Sequence, residues 1–412
     1  MNDLYASTQA ATVGGDEPFI RYTRELAWLD AEPDSLSPLV REAAAQRGWA
    51  AADTDWIRSY GSFSPQRDPF CVFVYETVAP TRDICLAELF ASRPVASGER
   101  EGAVIETPAG WIRLSPLGYD PRLGTLTAVL ARFPAAEVIR YRPYRRCTLR
   151  TPSSGTATRF IKVFADEQGA SVHENTVAVW QARQRGELSF NVACPLGWEV
   201  QSRSLSLGLV PGEPILRELL SARGPALSAR MGRACAEIAV SGIKPISVFD
   251  AAAQMRRSGK YAEQVKSALP HLSERIEALL SRLAAVHRST GGRQLRPIHG
   301  SPHAHQWLQQ GTTLGLVDFD RCGLGDPELD VATFLGEMDF ERPDRAPVEA
   351  ISRAYRGGYE SVYGALDPRL IAAYRTHKRF AKVRRAAYTP SPKAPSKALR
   401  HLARAEACLE TL

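Results

Sequence analysis

The run IHGSPHAHQWL, residues 298–308, packs three histidines, a serine and an amide side chain into one short stretch, and LGLVDFDRCGLGDPELD, residues 314–330, follows with four aspartates. Asp318 comes directly after the apolar LGLV, which carries its carboxylate to the end of a buried strand. A hard cation is suited to hold a carboxylate there, and Mg2+ is the natural choice. Asp320, two residues on, is either a second ligand or a turn-former. His303 and His305 have the right unperturbed pKa to exchange protons near neutrality. Ser301, between them and His299, carries no charge and is not an effective base near neutral pH. Asp326 before Pro327, with Glu328 next, has helix-start chemistry. Asp326 and Asp330 read as braces for the loop.

A strand and a helix must supply the rest. Lys162 in FIKVF lies among apolar neighbours, where an unpaired ammonium is costly. It therefore needs an anion: a phosphate, a helix carboxylate, or both. Glu174, on the helix expected over 171–184, is the nearest candidate. Before that helix, EVIRYRPYRRCTLRT, the turn PSSGTAT and RFIKVFAD read as three consecutive antiparallel strands. After it, SLSLGLVPGEPIL reads as a strand ending in a Pro-Gly turn. From about 216 the pattern is mostly helical, with amphipathic stretches at 227–240, 249–267, 271–288, 327–340, 346–363 and 366–386. Strand character returns only at 296–320, where the motifs lie.

Upstream, residues 1–20 form a polar, loose tail. Residues 21–134 read as a small α+β domain, with a helix in LSPLVREAAAQRGW, a strand in PFCVFVYET and a hairpin around Pro108-Ala109-Gly110. No chemical motif is visible in it, and its aromatic residues read as core. Residues 135–215 form a small sheet lobe and 216–412 a helical lobe. The basic segment HKRFAKVRRAAYTPSPKAPSKALRHLAR, from His377 to Arg404, reads as a solvated helix face and a Pro-rich loop, with a phosphate-facing role as the alternative.

At 412 residues the chain exceeds one ordinary core, so two or three units are expected. Its 44% hydrophobic and 24% charged residues argue against wholesale disorder. The net charge of +7 is mild and does not call for nucleic acid, though it suits a polyanionic ligand. Seven scattered cysteines without a C-x-x-C fit neither a disulfide framework nor a structural zinc site, so a reducing cytoplasm is expected. No apolar run of about 18 residues marks a membrane span.

Together these residues resemble the aminoglycoside phosphotransferase and choline kinase superfamily, which has the protein-kinase-like fold. The resemblance covers about 136–412. It rests on Lys162 in FIKVF, His299-Gly300 in the loop, Asp318 in LGLVDFD, and Gly325-Asp326-Pro327 with Asp330 in GDPELDVATF. It implies an α+β, two-lobed kinase-like fold with an added N-terminal domain, and ATP- and Mg2+-dependent phosphoryl transfer to a hydroxyl of a small molecule. Lys162 would hold phosphate, Asp318 the metal, and backbone groups from Leu207 to Val210 would meet adenine. Gln306 stands where the family usually has Asn, keeping the amide oxygen on a longer arm.

Ser301 is the main departure, standing where the family has the catalytic Asp. Loss of a general base costs on the order of 10² to 10⁴ in rate, while a loose transition state leaves much of catalysis to positioning and metals. A slow kinase follows, with His303 as a candidate substitute base and His299 as a loop brace. A metal site built from His299, His303 and His305 conflicts with a loop that must also serve a nucleotide metal. The alternative is a nucleotide-binding pseudokinase acting through a protein partner; nucleotidyl transfer with the triphosphate reversed ranks last.

Overall fold

The computed structural model describes residues 36–51, 53–63, 67–78, 83–94, 102–107, 110–152, 158–341, 345–391 and 393–410. The expected tail, Pro108-Ala109 and most of the PSSGTAT turn lie outside these residues. Two units emerge, one of residues 1–127 with 386–396, the other of 128–385 with 397–412. The first therefore takes in a C-terminal segment that the sequence assigns to the helical lobe.

In the first unit α1 (Ser37–Gln46) precedes an antiparallel sheet of β1 (Trp56–Phe63), β2 (Cys71–Thr77), β3 (Ile84–Phe90), β4 (Ala103–Thr107) and β5 (Gly110–Pro116). The strand order is β1-β2-β3-β5-β4. Apolar side chains dominate β2 and β3, and Phe73, Tyr75 and Leu89 bury against Leu36, Val40 and Ala44 of the α1 region. Glu88, fully buried on β3, is tolerated because Arg113 Nε lies 2.7 Å away on the neighbouring strand. The Phe63 N–H donates to the Tyr388 carbonyl at 2.9 Å, which ties the returning segment to the edge strand. A short helix, α2 (Leu126–Arg132), follows.

The second unit begins with β6 (Glu137–Arg142), β7 (Arg146–Arg150) and β8 (Arg159–Phe164), then α3 (Gln168–Gln184), β9 (Pro195–Glu199) and β10 (Ser204–Gly208). Their order, β6-β7-β8-β10-β9, makes β8 central, with Lys162 opposite Thr148 on one side and Leu205 on the other. Then come β11 (Glu213–Pro214), α4 (Leu216–Leu219), α5 (Gly224–Val240), α6 (Ala251–Ala268) and α7 (Ser273–Ser289). The chain continues through β12 (Arg296–Ile298), β13 (Trp307–Gln310), β14 (Thr313–Leu316), β15 (Gly323–Gly325) and α8 (Glu328–Glu341). It ends with α9 (Arg345–Tyr363), α10 (Pro368–Ala387) and α11 (Ala394–Glu410).

The expected helices are present within a few residues. Within the basic segment 377–404, residues 388–391 and 393 form turns between α10 and α11 and Lys397, Arg400 and Arg404 lie exposed, as a Pro-rich loop and a solvated helix face require; α11 adds a buried face of Ala398, Leu402, Ala405 and Leu409 that the sequence reading does not foresee. The proline of APSKALR falls at the start of that helix, where its missing N–H costs nothing. The core of this unit joins Met231 and Cys235 of α5 to Tyr355 and Tyr359 of α9. These helices cross closely because Gly232 and Gly358 lack side chains; a Cβ would meet the Tyr355 and Ala229 carbonyl oxygens at 2.0 and 2.1 Å.

Candidate active site

Two short backbone segments frame the site. β12 delivers His299 into the 299–306 loop, and the β13–β14 hairpin returns the chain to Asp318, with β15 pairing back on β12. At Gly300, φ is +76° and an added Cβ would lie 2.2 Å from the Arg321 carbonyl oxygen, so the two segments touch backbone to backbone. Asp318 itself is left-handed, with φ 69° and ψ 57°, an uncommon conformation that an aspartate tolerates better than most residues. It turns the chain out of the strand and into the 3-10 turn Phe319–Arg321.

Asp330 braces the loop as the sequence predicts. Its fully buried carboxylate accepts the His299 N–H at 2.9 Å and the Gly300 N–H at 2.6 Å. Burial raises its pKa to about 6, the two N–H groups working in the opposite direction. His299 has a fixed tautomer. Its Nδ1 accepts from the Ser301 N–H at 3.2 Å, so the proton resides on Nε2, which donates to the Val317 carbonyl at 3.1 Å. Burial holds this imidazole down to about 4, leaving it neutral. Asp326 takes the Tyr374 hydroxyl bond and so anchors α10.

Lys162, 8% exposed, reaches Asp318 Oδ1 at 2.7 Å and Asp320 Oδ1 at 2.5 Å. Burial alone would raise the Asp318 carboxyl, but Lys162 and Arg146 outweigh it and hold it well below the usual carboxylate range. Glu174 is not the partner the sequence suggests: it is exposed, whereas its neighbour Asn175 turns inward and bonds the Cys322 carbonyl at 3.0 Å. A register difference of one residue on α3 decides this, and no sequence pattern resolves it.

Arg146, at the start of β7, is a site residue the sequence does not single out. It ion-pairs with Asp320 and lies 3.9 Å from Asp318 Oδ2. The signal was present in RYRPYRR, an arginine-rich hairpin just before the lysine strand. Burial, followed by Arg140, Arg146 and Arg145, lowers the neighbouring Arg142 guanidinium to about 10.

Gln306 Nε2 donates to Asp318 Oδ2 at 3.0 Å and to His303 Nε2 at 3.2 Å. The amide thus offers its nitrogen, not its oxygen, to the carboxylate. His303 is kept neutral, chiefly by burial, and its Nδ1 is buried without a partner among the described residues. His305 is exposed, with its ring edge-on to His303 at 5.8 Å. Ser301 is half-buried, and Lys378 Nζ of α10 lies 3.4 Å from the carbonyl of the preceding Gly300.

Leu207 and Val210 are buried with Phe164, Val172 and Leu205, and Phe160 and Val317 pack against this cluster. The Gly208 N–H is occupied by the Cys194 carbonyl at 2.8 Å. All seven cysteines are free, no helix among the described residues is long and apolar enough to cross a membrane, and none of those residues forms a cluster of three or more His, Cys, Asp or Glu.

Residues 166–365 match the phosphotransferase enzyme family APH. Among solved structures, choline kinase LicA from Streptococcus pneumoniae is 11% identical, covers 69% of this chain and 99% of its own, and has a TM-score of 0.50. A choline/ethanolamine kinase family protein from Mesorhizobium loti is 16% identical over 69% of this chain and 95% of its own, with a TM-score of 0.49. An aminoglycoside-3'-phosphotransferase of type VIII is 20% identical over 63% of this chain and 99% of its own, with a TM-score of 0.46. No curated protein matches the chain. The likeness to LicA is one of fold, and the antiparallel-sheet lobe followed by a helical lobe is the kinase-like architecture the sequence predicts. Over residues 166–365, just under half of its length, the chain is thus similar to the phosphotransferase enzyme family APH.

Proposed function

We propose that the second unit binds ATP with Mg2+ beside Lys162 and Asp318 and transfers the terminal phosphoryl group slowly to a hydroxyl of a small molecule. The observation that carries this reading is the convergence of Lys162 and Arg146 on Asp318 and Asp320. Cations that close on two carboxylates can equally close on a polyphosphate, and phosphoryl transfer asks mainly for such positioning.

The residues fit magnesium. Asp318 and Asp320 are two hard oxygen donors, and Mg2+ usually takes one or two carboxylates and fills its shell with phosphates and water. With its amide turned over, Gln306 would add a carbonyl oxygen. Magnesium held there supplies charge neutralisation on the phosphate oxygens. Lys162 and Arg146 orient the phosphates, the apolar side chains of Leu207 and Val210 give a flat base a dry surface, and Asp330 fixes the loop that faces the acceptor. Ser301 cannot take the acceptor's proton, while neutral His303 has a ring nitrogen able to do so once Gln306 releases it.

The decisive experiment is thermal unfolding with and without MgATP, run beside Asp318→Asn. Stabilisation in the native protein that disappears in the variant supports the reading. No shift at millimolar MgATP sinks it. One observation favours, as a second reading, a pseudokinase that takes up no nucleotide, going beyond the nucleotide-binding pseudokinase named above: Asp318 already spends Oδ1 on Lys162 and Oδ2 on Gln306. The same experiment separates the two.

A further inference from the structure

The two faces of the sheet that carries Lys162 differ sharply. Residues directly opposite one another in an antiparallel ladder point to the same side. Val138, Leu149 and Ile161 make one row across β6, β7 and β8, Tyr141, Cys147 and Val163 make the next, and all of them are buried. The other face carries a row of Arg140, Thr148, Lys162 and Leu205, and beside it a row of Arg142, Arg146 and Phe164. Arg140, Arg142 and Arg146 therefore share the side from which Lys162 reaches Asp318 and Asp320. Toward β10 the same side turns apolar, with Phe160, Leu205 and Leu207 in one cluster with Val317.

A bulge aims two of these arginines. Val138 and Arg140 are two residues apart, which in a regular strand puts them on one face. Here the register shifts between them, with Ile139 as the extra residue. Val138 thus stays in the apolar layer while Arg140 and Arg142 turn to the side of Lys162. Bulges are common next to active sites, where they re-aim a side chain. The result sets Arg142 directly opposite Arg146, and like charges so placed are destabilising. Arg146 is matched by Asp320, and Arg150, farther along the same face, by Glu137 at 2.5 Å. Among the described residues, no carboxylate ion-pairs with Arg140 or Arg142. Arg140 is exposed and Arg142 half-buried, and a guanidinium fork matches the oxygens of a phosphate.

We propose that Arg140 and Arg142 grip the polyphosphate of the phosphoryl donor, and that the donor is chosen for its chain of phosphates and not for its base. This rests on the phosphotransferase reading above, which puts phosphates at Lys162 and Arg146, and it extends them along the two rows toward β6. Nucleoside triphosphates of either purine, and inorganic tripolyphosphate with Mg2+, form the class such a site accepts. At the base end, Leu205 and Leu207 offer apolar contact, which discriminates weakly between flat rings. The Gly208 N–H at the end of β10 is already spent on the Cys194 carbonyl.

The test is calorimetric titration of the full chain, at fixed ionic strength and with Mg2+, by ATP, GTP, inorganic tripolyphosphate or adenosine. The native protein, Arg140→Gln, Arg142→Gln and Arg150→Gln are compared. The expected result is binding of all three triphosphates with similar dissociation constants, and much weaker binding of adenosine. Arg140→Gln and Arg142→Gln should each weaken the three by about tenfold, the loss of one charge-assisted bond. Arg150→Gln should leave them unchanged. In plain buffer Arg142→Gln should melt no lower than the native protein, since it removes one of two opposed like charges; if one variant does not fold, the other carries the test. Binding of MgATP without tripolyphosphate, binding that survives both substitutions, or an equal loss in Arg150→Gln overturns the proposal and leaves the kinase reading standing. Tripolyphosphate bound through the two arginines, with MgATP refused, would instead remove the ATP-dependent reading and leave the polyphosphate site. Refusal of every triphosphate removes both.

Discussion

One amide nitrogen, Nε2 of Gln306, bridges Asp318 Oδ2 at 3.0 Å and His303 Nε2 at 3.2 Å. The candidate metal ligand and the candidate base are thus held by the same group. Gln306→Leu should lower stability by about 1–3 kcal/mol, the cost of leaving buried partners unsatisfied. Urea unfolding checks this; an unchanged midpoint would show that the amide does not bridge them.

Asp330 makes loop bracing depend on pH. Its carboxyl is raised to about 6 by burial, so the folded state favours the protonated form more than the unfolded state does. Its contribution to stability is fully present below the unfolded value and is lost as pH rises through 6. The advantage of the native protein over Asp330→Asn should therefore shrink by about 2 kcal/mol between pH 4.5 and 7.5. Parallel urea titrations at the two pH values measure it, and an advantage that grows with pH would contradict the burial argument.

Gly300→Ala should be severe. The left-handed backbone costs an alanine about 1–2 kcal/mol, and the new Cβ would press on the Arg321 carbonyl. A fall of several degrees in melting temperature is expected, together with loss of any MgATP response. A variant that melts like the native protein would mean the two segments do not touch.

Ser301→Asp puts a carboxylate at the position proposed above to face the acceptor. If general-base loss is what slows the protein, nucleotide turnover should rise by about 10² to 10⁴. Release of ADP from ATP, measured with a panel of small hydroxyl compounds, reports this. Unchanged turnover despite intact MgATP binding would place the limitation elsewhere.

The strand with Lys162, the loop with His299 and the turn with Asp318 were legible because each combines an ionisable residue with an apolar run of definite length. Their convergence across more than 150 residues is legible only through family resemblance, since no local pattern reports which distant strands meet. Glu174 failed for the opposite reason: α3 buries the adjacent Asn175, and burial on a helix turns on a rotation of about 100° per residue. Arg146 and Lys378 were hidden in arginine- and lysine-rich stretches whose composition reads equally well as solvated surface. The helix over 394–410 was obscured by the prolines just before it.

The return of residues 386–396 to the first unit has a consequence for synthesis. A ribosome releases the chain from its N-terminus, so the five strands of that unit emerge long before the segment containing Tyr388, which bonds the edge residue Phe63. Residues 128–385 of the second unit are made in the interval. The edge at Phe63 must wait for its bond to Tyr388 until that segment has been made, and an unsatisfied sheet edge is open to wrong pairing in the interval.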